Sequence, residues 1–289
     1  MNSALQFRTL LVLGRVSNLP TVWSNVLVGW WLGGGGNNYW KLPLLFTGLS
    51  LLYTAGMFLN DAFDQDFDRQ RRQERPIPTG RILPALVWRY GFGQLGAGVL
   101  LLLACGKFAA LATVLLAFTI LLYDLTHKFL MTSPWLMGAC RFLVYVIAAA
   151  AGAEGLTGPA VFCGFALALY VTGLSFLARR ETARRPISFW PLLLLAIPIA
   201  MALLLNAGDF RRDALCIAAV LLLWLVRCLR TTLFGGEVNP PWIVSNLLAG
   251  IIFVDWLAVA PVMPHLASAL VFLALFGLTK WFQKFIPAT

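Results

Sequence analysis

Apolar stretches of about 20 residues, long enough to cross the hydrocarbon core of a bilayer as helices, recur along the whole chain. Ten stretches are predicted to be helical: roughly 17–36, 42–60, 84–105, 108–124, 134–153, 159–178, 189–206, 213–230, 242–260 and 266–283. The pattern predicts an all-α fold, a polytopic membrane helix bundle. No soluble insert interrupts the series, so residues 1–289 are predicted to form a single domain.

The composition of the chain supports this prediction. Apolar residues make up 60% of the sequence and charged residues 12%, whereas a soluble domain carries about 25% charged residues. No small-residue cleavage site follows the first apolar stretch, so we expect no removable signal peptide. The five cysteines form no C-x-x-C pair and the two histidines stand far apart, which argues against a disulfide framework and a zinc site.

The positive charges predict how the bundle is oriented. If all ten stretches span and the N-terminus is cytoplasmic, sixteen lysines and arginines fall in cytoplasmic segments and four in outer segments. This bias follows the positive-inside rule and places both termini in the cytoplasm. We therefore predict a multi-pass protein of the inner (plasma) membrane. The net charge of +10 is explained by topology and the lipid bilayer, so no nucleic-acid partner is expected.

A cluster of acids ends the second apolar stretch, and we expect it to be functional because carboxylates beside a bilayer are costly. At about 100° per residue, a helix places Asn60, Asp61, Asp64 and Asp68 within one arc of about 100°. Asp66 points almost the opposite way. Three acids on one face repel one another, and a divalent cation relieves that repulsion. Because all the ligands are oxygen, Mg²⁺ is the expected cofactor.

Basic residues accompany the acids on the cytoplasmic side. Arginines of the segment 69–81, with Arg75 among them, either neutralise the acids or grip an anionic substrate whose other oxygens bind the metal. The prolines and glycine of that segment exclude a continuous helix and favour a loop over the site. Tyr123 and Lys128 end the fourth stretch, where an interfacial tyrosine and an anchoring lysine are ordinary. Residues 1–16, with Arg8 and Arg15, are predicted to be a short amphipathic segment that precedes the first stretch and lies at the interface.

Three polar residues lie inside apolar stretches and must find partners there. Asn25 serves either helix packing or a ligand. Arg141, about two turns into the fifth stretch, either extends to the interface or faces a pocket. Asp255 is either paired with a polar neighbour or lines a cavity. An ion-coupled transporter would need Asp255 in a polar path, but the outer half of the bundle has too few charges to form one.

The end of the sixth stretch carries four arginines and one acid between residues 178 and 185. Glu181 precedes Arg184 and Arg185 at helical spacings, so a local ion-paired helix end is one interpretation. The alternative is functional: Arg179 and Arg180 would bind phosphate, and Glu181 would supply at most one metal ligand.

Clustered carboxylates, arginines and a large apolar body together indicate a substrate with a diphosphate head and a lipid tail. Metal and arginines would neutralise diphosphate as a leaving group. Departure of an allylic diphosphate leaves a carbocation, which aromatic faces can stabilise.

The motifs resemble those of the UbiA superfamily of intramembrane prenyltransferases. Residues 60–68 have the form N-D-x-x-D-x-x-x-D, and residues 75–80 follow as R-P-I-P-T-G. The resemblance implies that the first motif binds Mg²⁺-diphosphate, and that Tyr123 and Lys128 match the family's Tyr/Lys element, whose lysine meets the diphosphate. It also implies nine to ten transmembrane helices around a lateral cavity open to lipid. The substrates would be a polyprenyl diphosphate and an aromatic or other small lipophilic acceptor, joined at the cytoplasmic face.

One family motif is missing. An Asp-x-x-x-Asp set is expected after the sixth stretch, but Glu181 is the only acid there. The sequence at 175–181 is similar to that of the EboC-like branch of the superfamily. One hypothesis is a single-metal enzyme in which Arg179 or Arg180 replaces the charge of a second cation. The alternative is a non-catalytic relative that binds or transports a prenyl lipid or secondary metabolite.

Overall fold

The structure is a computed structural model that describes the backbone of residues 3–36, 38–182, 190–205, 209–234, 239–260 and 265–288. Side chains of residues 3–5, 180–182, 205, 209–211, 231–234 and 265 lie outside the described part. Within it the regular elements are all helical, which confirms the all-α fold. The helices are α1 Ser3–Leu13, a 3-10 turn Val16–Asn18, α2 Leu19–Leu32, α3 Lys41–Phe63, α4 Gln65–Arg71, α5 Pro84–Leu103, α6 Lys107–Thr126, α7 Ser133–Ala151, α8 Gly158–Thr182, α9 Trp190–Leu205, α10 Asp209–Phe234, α11 Pro240–Val259 and α12 His265–Phe282.

Each of the ten predicted stretches overlaps one of these helices, with ends that differ by a few residues. Within the described residues, six are long and apolar enough to cross a membrane: Lys41–Phe63, Pro84–Leu103, Lys107–Thr126, Ser133–Ala151, Gly158–Arg179 and Pro240–Val259. The chain is therefore a multi-pass integral membrane protein. The number of spans, nine to ten, the single domain and the lateral cavity stay predictions.

Proline marks the start of several membrane helices. Pro20, Pro84, Pro134 and Pro240 stand in the first turn of α2, α5, α7 and α11. The missing N–H of proline costs nothing there, because the first N–H groups of a helix have no partner within it. The sequence thus sets where these helices begin.

Two large apolar clusters form the core. One joins α2, α3, α5, α6 and α7, and the other joins α7, α8, α9, α10, α11 and α12 and includes Val28 of α2. Helix α7 contributes to both. It also lies unusually close to α2, because a Cβ added at Gly29 would lie 2.8 Å from the carbonyl oxygen of Tyr145. Small residues permit such close helix approach in membranes, and here the approach places polar side chains of α2 beside those of α7.

A buried polar network crosses the bundle at this contact. Asp255 of α11 is fully buried and accepts hydrogen bonds from Ser24 Oγ, from Asn25 Nδ2 at 2.7 Å and from the Tyr145 hydroxyl at 2.5 Å. Arg141 donates to Asn25 Oδ1 at 2.7 Å. The network ties α2, α7 and α11 together, and it shows that Asp255 is paired with polar neighbours.

Asp255 is expected to matter for stability. Replacing it with alanine should lower the free energy of unfolding by about 3 kcal/mol, because Arg141 would lose the buried carboxylate that its charge interacts with. The measurement is denaturant-induced unfolding in mixed micelles. Ser245→Ala is the control, since that hydroxyl donates to the Pro241 carbonyl oxygen of its own helix. Equal stability of the two variants would contradict a structural role for Asp255.

Candidate functional site

The acidic motif sits where α3 gives way to α4. Helix α3 ends at Phe63, and Asp64 joins it to the short helix α4. The helical hydrogen bonds nevertheless continue, from Asp64 N to Asn60 O and from Asp68 N to Asp64 O, each at 2.9 Å. The single helical face deduced from the sequence is therefore preserved across the junction. Asn60, Asp61, Asp64 and Asp68 are all buried there.

Asp66 lies apart from these acids, as the helical phase predicts. Its side chain is 80% exposed, and its contact is with Arg69 three residues on, at 3.4 Å. An ion pair this exposed contributes little to stability.

Arg75 bridges two acids of the motif. Its Nη1 donates to Asp61 Oδ1 at 2.9 Å and to Asp68 Oδ2 at 3.1 Å. Both proposals for this arginine remain compatible with the geometry, because a guanidinium that neutralises two carboxylates also stands where it can meet an anionic ligand. Burial raises the pKa of Asp68, and nearby Arg75 opposes this rise while Asp64 and Asp61 add to it.

The loop that carries Arg75 is fixed by its own turn. Thr79 Oγ1 donates to the carbonyl oxygens of Arg75 and Pro76 at 2.9 and 3.1 Å. Gly80 follows with a φ of 71°, a left-handed conformation that glycine adopts readily. Ile77 is buried against α1 and α3 in a small apolar cluster. The sequence 75–80 thus forms a shaped turn that holds Arg75 over the acids.

Asp64 is paired with basic groups from the end of α6. Lys128 Nζ lies 2.8 Å and His127 Nε2 lies 3.3 Å from Asp64 Oδ1. Burial alone would raise the pKa of Asp64, but the contacts with His127 and Lys128 outweigh it and hold this pKa below its ordinary value. Asp64 in turn raises the pKa of His127, against the lowering effect of burial. Tyr123 stacks on the His127 ring, with centroids 5.1 Å apart.

Two residues of this site were not predicted from the sequence. Arg15, expected at the interface, turns inward and lies 3.4 Å from Asp61 Oδ1. It has a φ of 43°, the only positive φ of a non-glycine residue in the described part of the chain, and such strain often marks functional positions. Asp124 of α6 contacts Asn60, whose Nδ2 donates to Asp124 Oδ1 at 3.3 Å. Its signal in the sequence is that it is an acid within an apolar stretch.

Other predicted site residues make contacts elsewhere. Asn25 and Arg141 belong to the Asp255 network described above, and Arg141 also lies over the Tyr53 ring at 5.6 Å. Arg179 donates to the Leu130 carbonyl oxygen at 2.5 Å and to Ser133 Oγ at 2.8 Å, which ties α8 to the loop before α7. The side chains of Arg180 and Glu181 lie outside the described residues.

The acidic residues fit a magnesium ion that is shared with a substrate. Among the described residues, no three His, Cys, Asp or Glu side chains converge as a ready-made metal cage. Mg²⁺ does not require one, since it binds through one or two carboxylates, waters and substrate phosphates. In the same part of the chain, Asp68 Oδ1 is buried and has no hydrogen-bond partner. That oxygen, with its neighbours Asp61 and Asp64, is a suitable hard ligand.

Comparisons with known proteins agree with this architecture. The model of the UbiA prenyltransferase family matches residues 22–282. A 4-hydroxybenzoate octaprenyltransferase of Herminiimonas arsenicoxydans is 40% identical over 68 residues, which cover 22% of each chain. A digeranylgeranylglyceryl phosphate synthase of Methanothrix thermoacetophila is 36% identical over 83 residues, 28% of this chain and 31% of that protein. The chain thus matches less than a third of the length of these curated relatives.

Solved structures share the fold over nearly the whole chain. A UbiA homologue from Archaeoglobus fulgidus, determined with GPP and Mg²⁺ bound, aligns with a TM-score of 0.65 at 15% identity, covering 94% of this chain and 99% of that one. An apo UbiA homologue from Aeropyrum pernix K1 aligns with a TM-score of 0.52 at 19% identity, covering 93% and 96%. At these identities the likeness establishes the fold.

Arg75 is expected to act as a built-in counter-ion of the acids. In Arg75→Gln, Asp61 and Asp68 lose their shared charged hydrogen bonds, which should lower stability by about 2 kcal/mol without Mg²⁺. Added Mg²⁺ should raise the melting temperature of this variant more than that of the unmodified protein, because the cation replaces the lost charge.

Thermal unfolding in detergent, with EDTA or Mg²⁺, measures both effects. Arg69→Gln is the matched control, since the Arg69–Asp66 pair is exposed. If Mg²⁺ raises the melting temperature of Arg75→Gln no more than that of the unmodified protein, the cation does not replace the charge of Arg75 beside Asp61 and Asp68.

Proposed function

Because this chain belongs to the UbiA prenyltransferase family, we propose that it is an enzyme that transfers a prenyl group from a polyprenyl diphosphate to an aromatic or other small lipophilic acceptor. The observation that carries the proposal is the set of buried carboxylates at the end of a membrane helix. Asp61, Asp64 and Asp68 are each contacted by a basic side chain. Such a site suits a ligand that brings both negative charge and a metal ion.

The basic residues are arranged to hold a diphosphate. Arg15 and Arg75 converge on Asp61, and Lys128 pairs with Asp64. On binding, these side chains would move their charge from the carboxylates to the diphosphate oxygens, with arginine able to bind two oxygens at once. Asp61, Asp64 and Asp68 would hold Mg²⁺, and Glu181 is a further proposed ligand. The metal supplies Lewis-acid neutralisation of the leaving group.

Aromatic rings stand next to the acids. Phe63 precedes Asp64 and packs edge-on against Trp88, with centroids 4.6 Å apart, and Trp88 stacks on Phe92. The Phe63 carbonyl oxygen accepts a hydrogen bond from Lys128. These rings could stabilise the positive charge that develops on the prenyl carbon as the diphosphate leaves. The apolar bundle behind them would take the prenyl chain.

The relatives support prenyl transfer but differ in acceptor. Their names include 4-hydroxybenzoate octaprenyltransferase, digeranylgeranylglyceryl phosphate synthase and protoheme IX farnesyltransferase. The A. fulgidus homologue was solved with GPP and Mg²⁺, which supports a magnesium requirement in this chain. We further propose that the site faces the cytoplasm at the inner membrane, on the basis of the positive-inside bias.

A second function, non-catalytic binding or transport of a prenyl lipid, is favoured by one observation. The Asp-x-x-x-Asp motif expected after the sixth apolar stretch is absent from the sequence. In the described part of the chain Arg179, proposed to replace a second cation, instead contacts Leu130 and Ser133. Turnover therefore distinguishes the two functions.

The test is prenyl transfer by the purified protein in lipid nanodiscs with Mg²⁺, geranylgeranyl diphosphate and a panel of lipophilic acceptors. Prenylated product is identified by mass spectrometry and diphosphate release is measured in parallel. Asp64→Asn should reduce turnover by at least about 10²-fold, the scale expected when electrostatic stabilisation of the leaving group is weakened by loss of a ligand of the metal. It should also weaken Mg²⁺-dependent binding of geranylgeranyl diphosphate.

Asp66→Asn is the control, because this acid of the same motif is exposed and should leave activity unchanged. Tight Mg²⁺-dependent binding without transfer to any acceptor would favour the lipid-binding function. Binding that is unaltered in Asp64→Asn would reject the metal site itself.

A further inference from the structure

In the described part of the chain, two aspartates outside the acidic motif lie buried within membrane helices, and they differ in how many hydrogen bonds their oxygens accept. Asp255 on α11 is fully buried and Asp124 on α6 is 4% exposed. An acid inside a membrane bundle is costly unless hydrogen bonds or cations compensate it. Comparing the hydrogen bonds of the two carboxylates indicates which one stabilises the fold and which one can bind a substrate group.

Both carboxylate oxygens of Asp255 accept hydrogen bonds. Its Oδ2 accepts from Ser24 and Asn25, and its Oδ1 accepts from the Tyr145 hydroxyl. Arg141 interacts with it electrostatically. Nothing in this arrangement calls for a further partner.

Asp124 is not saturated. Its Oδ1 accepts one long hydrogen bond, 3.3 Å from Asn60 Nδ2. Its Oδ2 is buried and has no hydrogen-bond partner in the described part of the chain. In that part Asp61, Asp64 and Asp68 each form an ion pair, whereas Asp124 forms none.

The position of Asp124 relates it to the diphosphate site. Asn60 precedes Asp64 by one turn of α3, and Asp124 precedes His127 by about one turn at the end of α6. The Asn60–Asp124 pair therefore forms a layer roughly 5 Å deeper in the bundle than the layer of Asp64, His127 and Lys128. If the diphosphate binds in the outer layer, the first prenyl carbon, which points toward the apolar bundle, lies at the depth of Asp124.

His127 is a second group of this site that could take a proton, but its ring nitrogens are engaged within the protein. Its Nε2 lies 3.3 Å from Asp64 Oδ1, and its Nδ1 lies 3.2 Å from the carbonyl oxygens of Tyr123 and Asp124. Asp124 Oδ2, in contrast, has no hydrogen-bond partner in the described part of the chain.

We propose that Asp124 is the catalytic base of this site and that it recognises a hydroxyl group of the acceptor. The inference rests on the proposed prenyl transfer. The C1–O bond of the prenyl diphosphate breaks, and its electron pair leaves with the diphosphate. C1 then bonds to the hydroxyl oxygen, or to a ring carbon activated by that hydroxyl, and the proton that the acceptor loses passes to Asp124 Oδ2. The substrate class is a lipophilic phenol or alcohol that is neutral where it meets Asp124, since an anionic group there would be repelled.

The decisive variant is Asp124→Asn, which keeps the shape of the side chain and an oxygen for Asn60 but cannot take a proton. Turnover of geranylgeranyl diphosphate with a series of substituted phenols should fall by roughly 10²- to 10⁴-fold, the usual contribution of a general base. Affinity for Mg²⁺ and geranylgeranyl diphosphate should change less than about twofold, because the outer layer is intact. The defect should shrink as the neutral phenol becomes more acidic, since a more acidic hydroxyl depends less on a base.

Asp66→Asn, the exposed acid, is the control for activity and should match the unmodified protein with every phenol. A second measurement does not depend on turnover. Asp124→Asn should melt at the same temperature as the unmodified protein or higher, whereas Asp255→Asn should melt lower, because only Asp255 is fully hydrogen-bonded.

The proposal is overturned by undiminished turnover in Asp124→Asn, by a defect of equal size for all phenols, by lost binding of Mg²⁺-diphosphate, or by a melting temperature that falls as in Asp255→Asn. Lost diphosphate binding would make Asp124 part of the metal site, and a lower melting temperature would make it structural. Absence of transfer by the unmodified protein would reject the proposed function, and this inference with it. Transfer that does not depend on Asp124 rejects this inference alone.

Discussion

The cost of placing carboxylates at the edge of a bilayer governs the end of the bundle where α3 and α6 finish. Asp61, Asp64 and Asp68 are buried there, and each needs a positive charge close by. The chain supplies these charges from three separate segments: Arg15 after α1, Arg75 in the loop after α4, and Lys128 after α6. The ion pairs with the acids therefore help to hold those three segments against α3. The same side chains that stabilise the protein alone are the ones available to an anionic substrate.

The second buried polar network, around Asp255, compensates the cost of burying a carboxylate with hydrogen bonds. Close packing of α2 on α7 at Gly29 allows Ser24, Asn25 and Tyr145 to donate directly to one carboxylate. Hydrogen bonds there replace a ligand, and the network fixes three helices relative to one another. The buried polar residues of this bundle thus form two groups. Those around Asp255 hydrogen-bond to one another and hold helices together, whereas those of the acidic motif are placed to bind a substrate. Arg141 and Asn25, which the sequence left open between these roles, make their contacts in the structural group.

Prediction from the sequence was most successful where period and chemistry act locally. Each of the ten apolar stretches overlaps a helix, because about 20 apolar residues in a row leave the backbone few alternatives in a bilayer. Helical phase alone separated Asp66 from the other acids of the motif. It does not bear on Arg15, because the partner of this residue, Asp61, lies 46 residues away in the chain. Asp124 was overlooked because only its neighbours, Asn60 and His127, show that it shares the site.

The sequence by itself determined the helices, their membrane character, the shared face of the acids and the family resemblance. Each of these depends on residues close together in the chain. Only the tertiary structure decided which distant charges meet, because ion pairs such as Arg15–Asp61 and Lys128–Asp64 join segments 46 and 64 residues apart, whose spacing carries no local signal. Tertiary packing likewise decided that Arg179 contacts the loop before α7, and that Asp255 is saturated while Asp124 is not. Which buried polar groups pair depends on the assembled bundle, because the helix that packs beside each group supplies its partner.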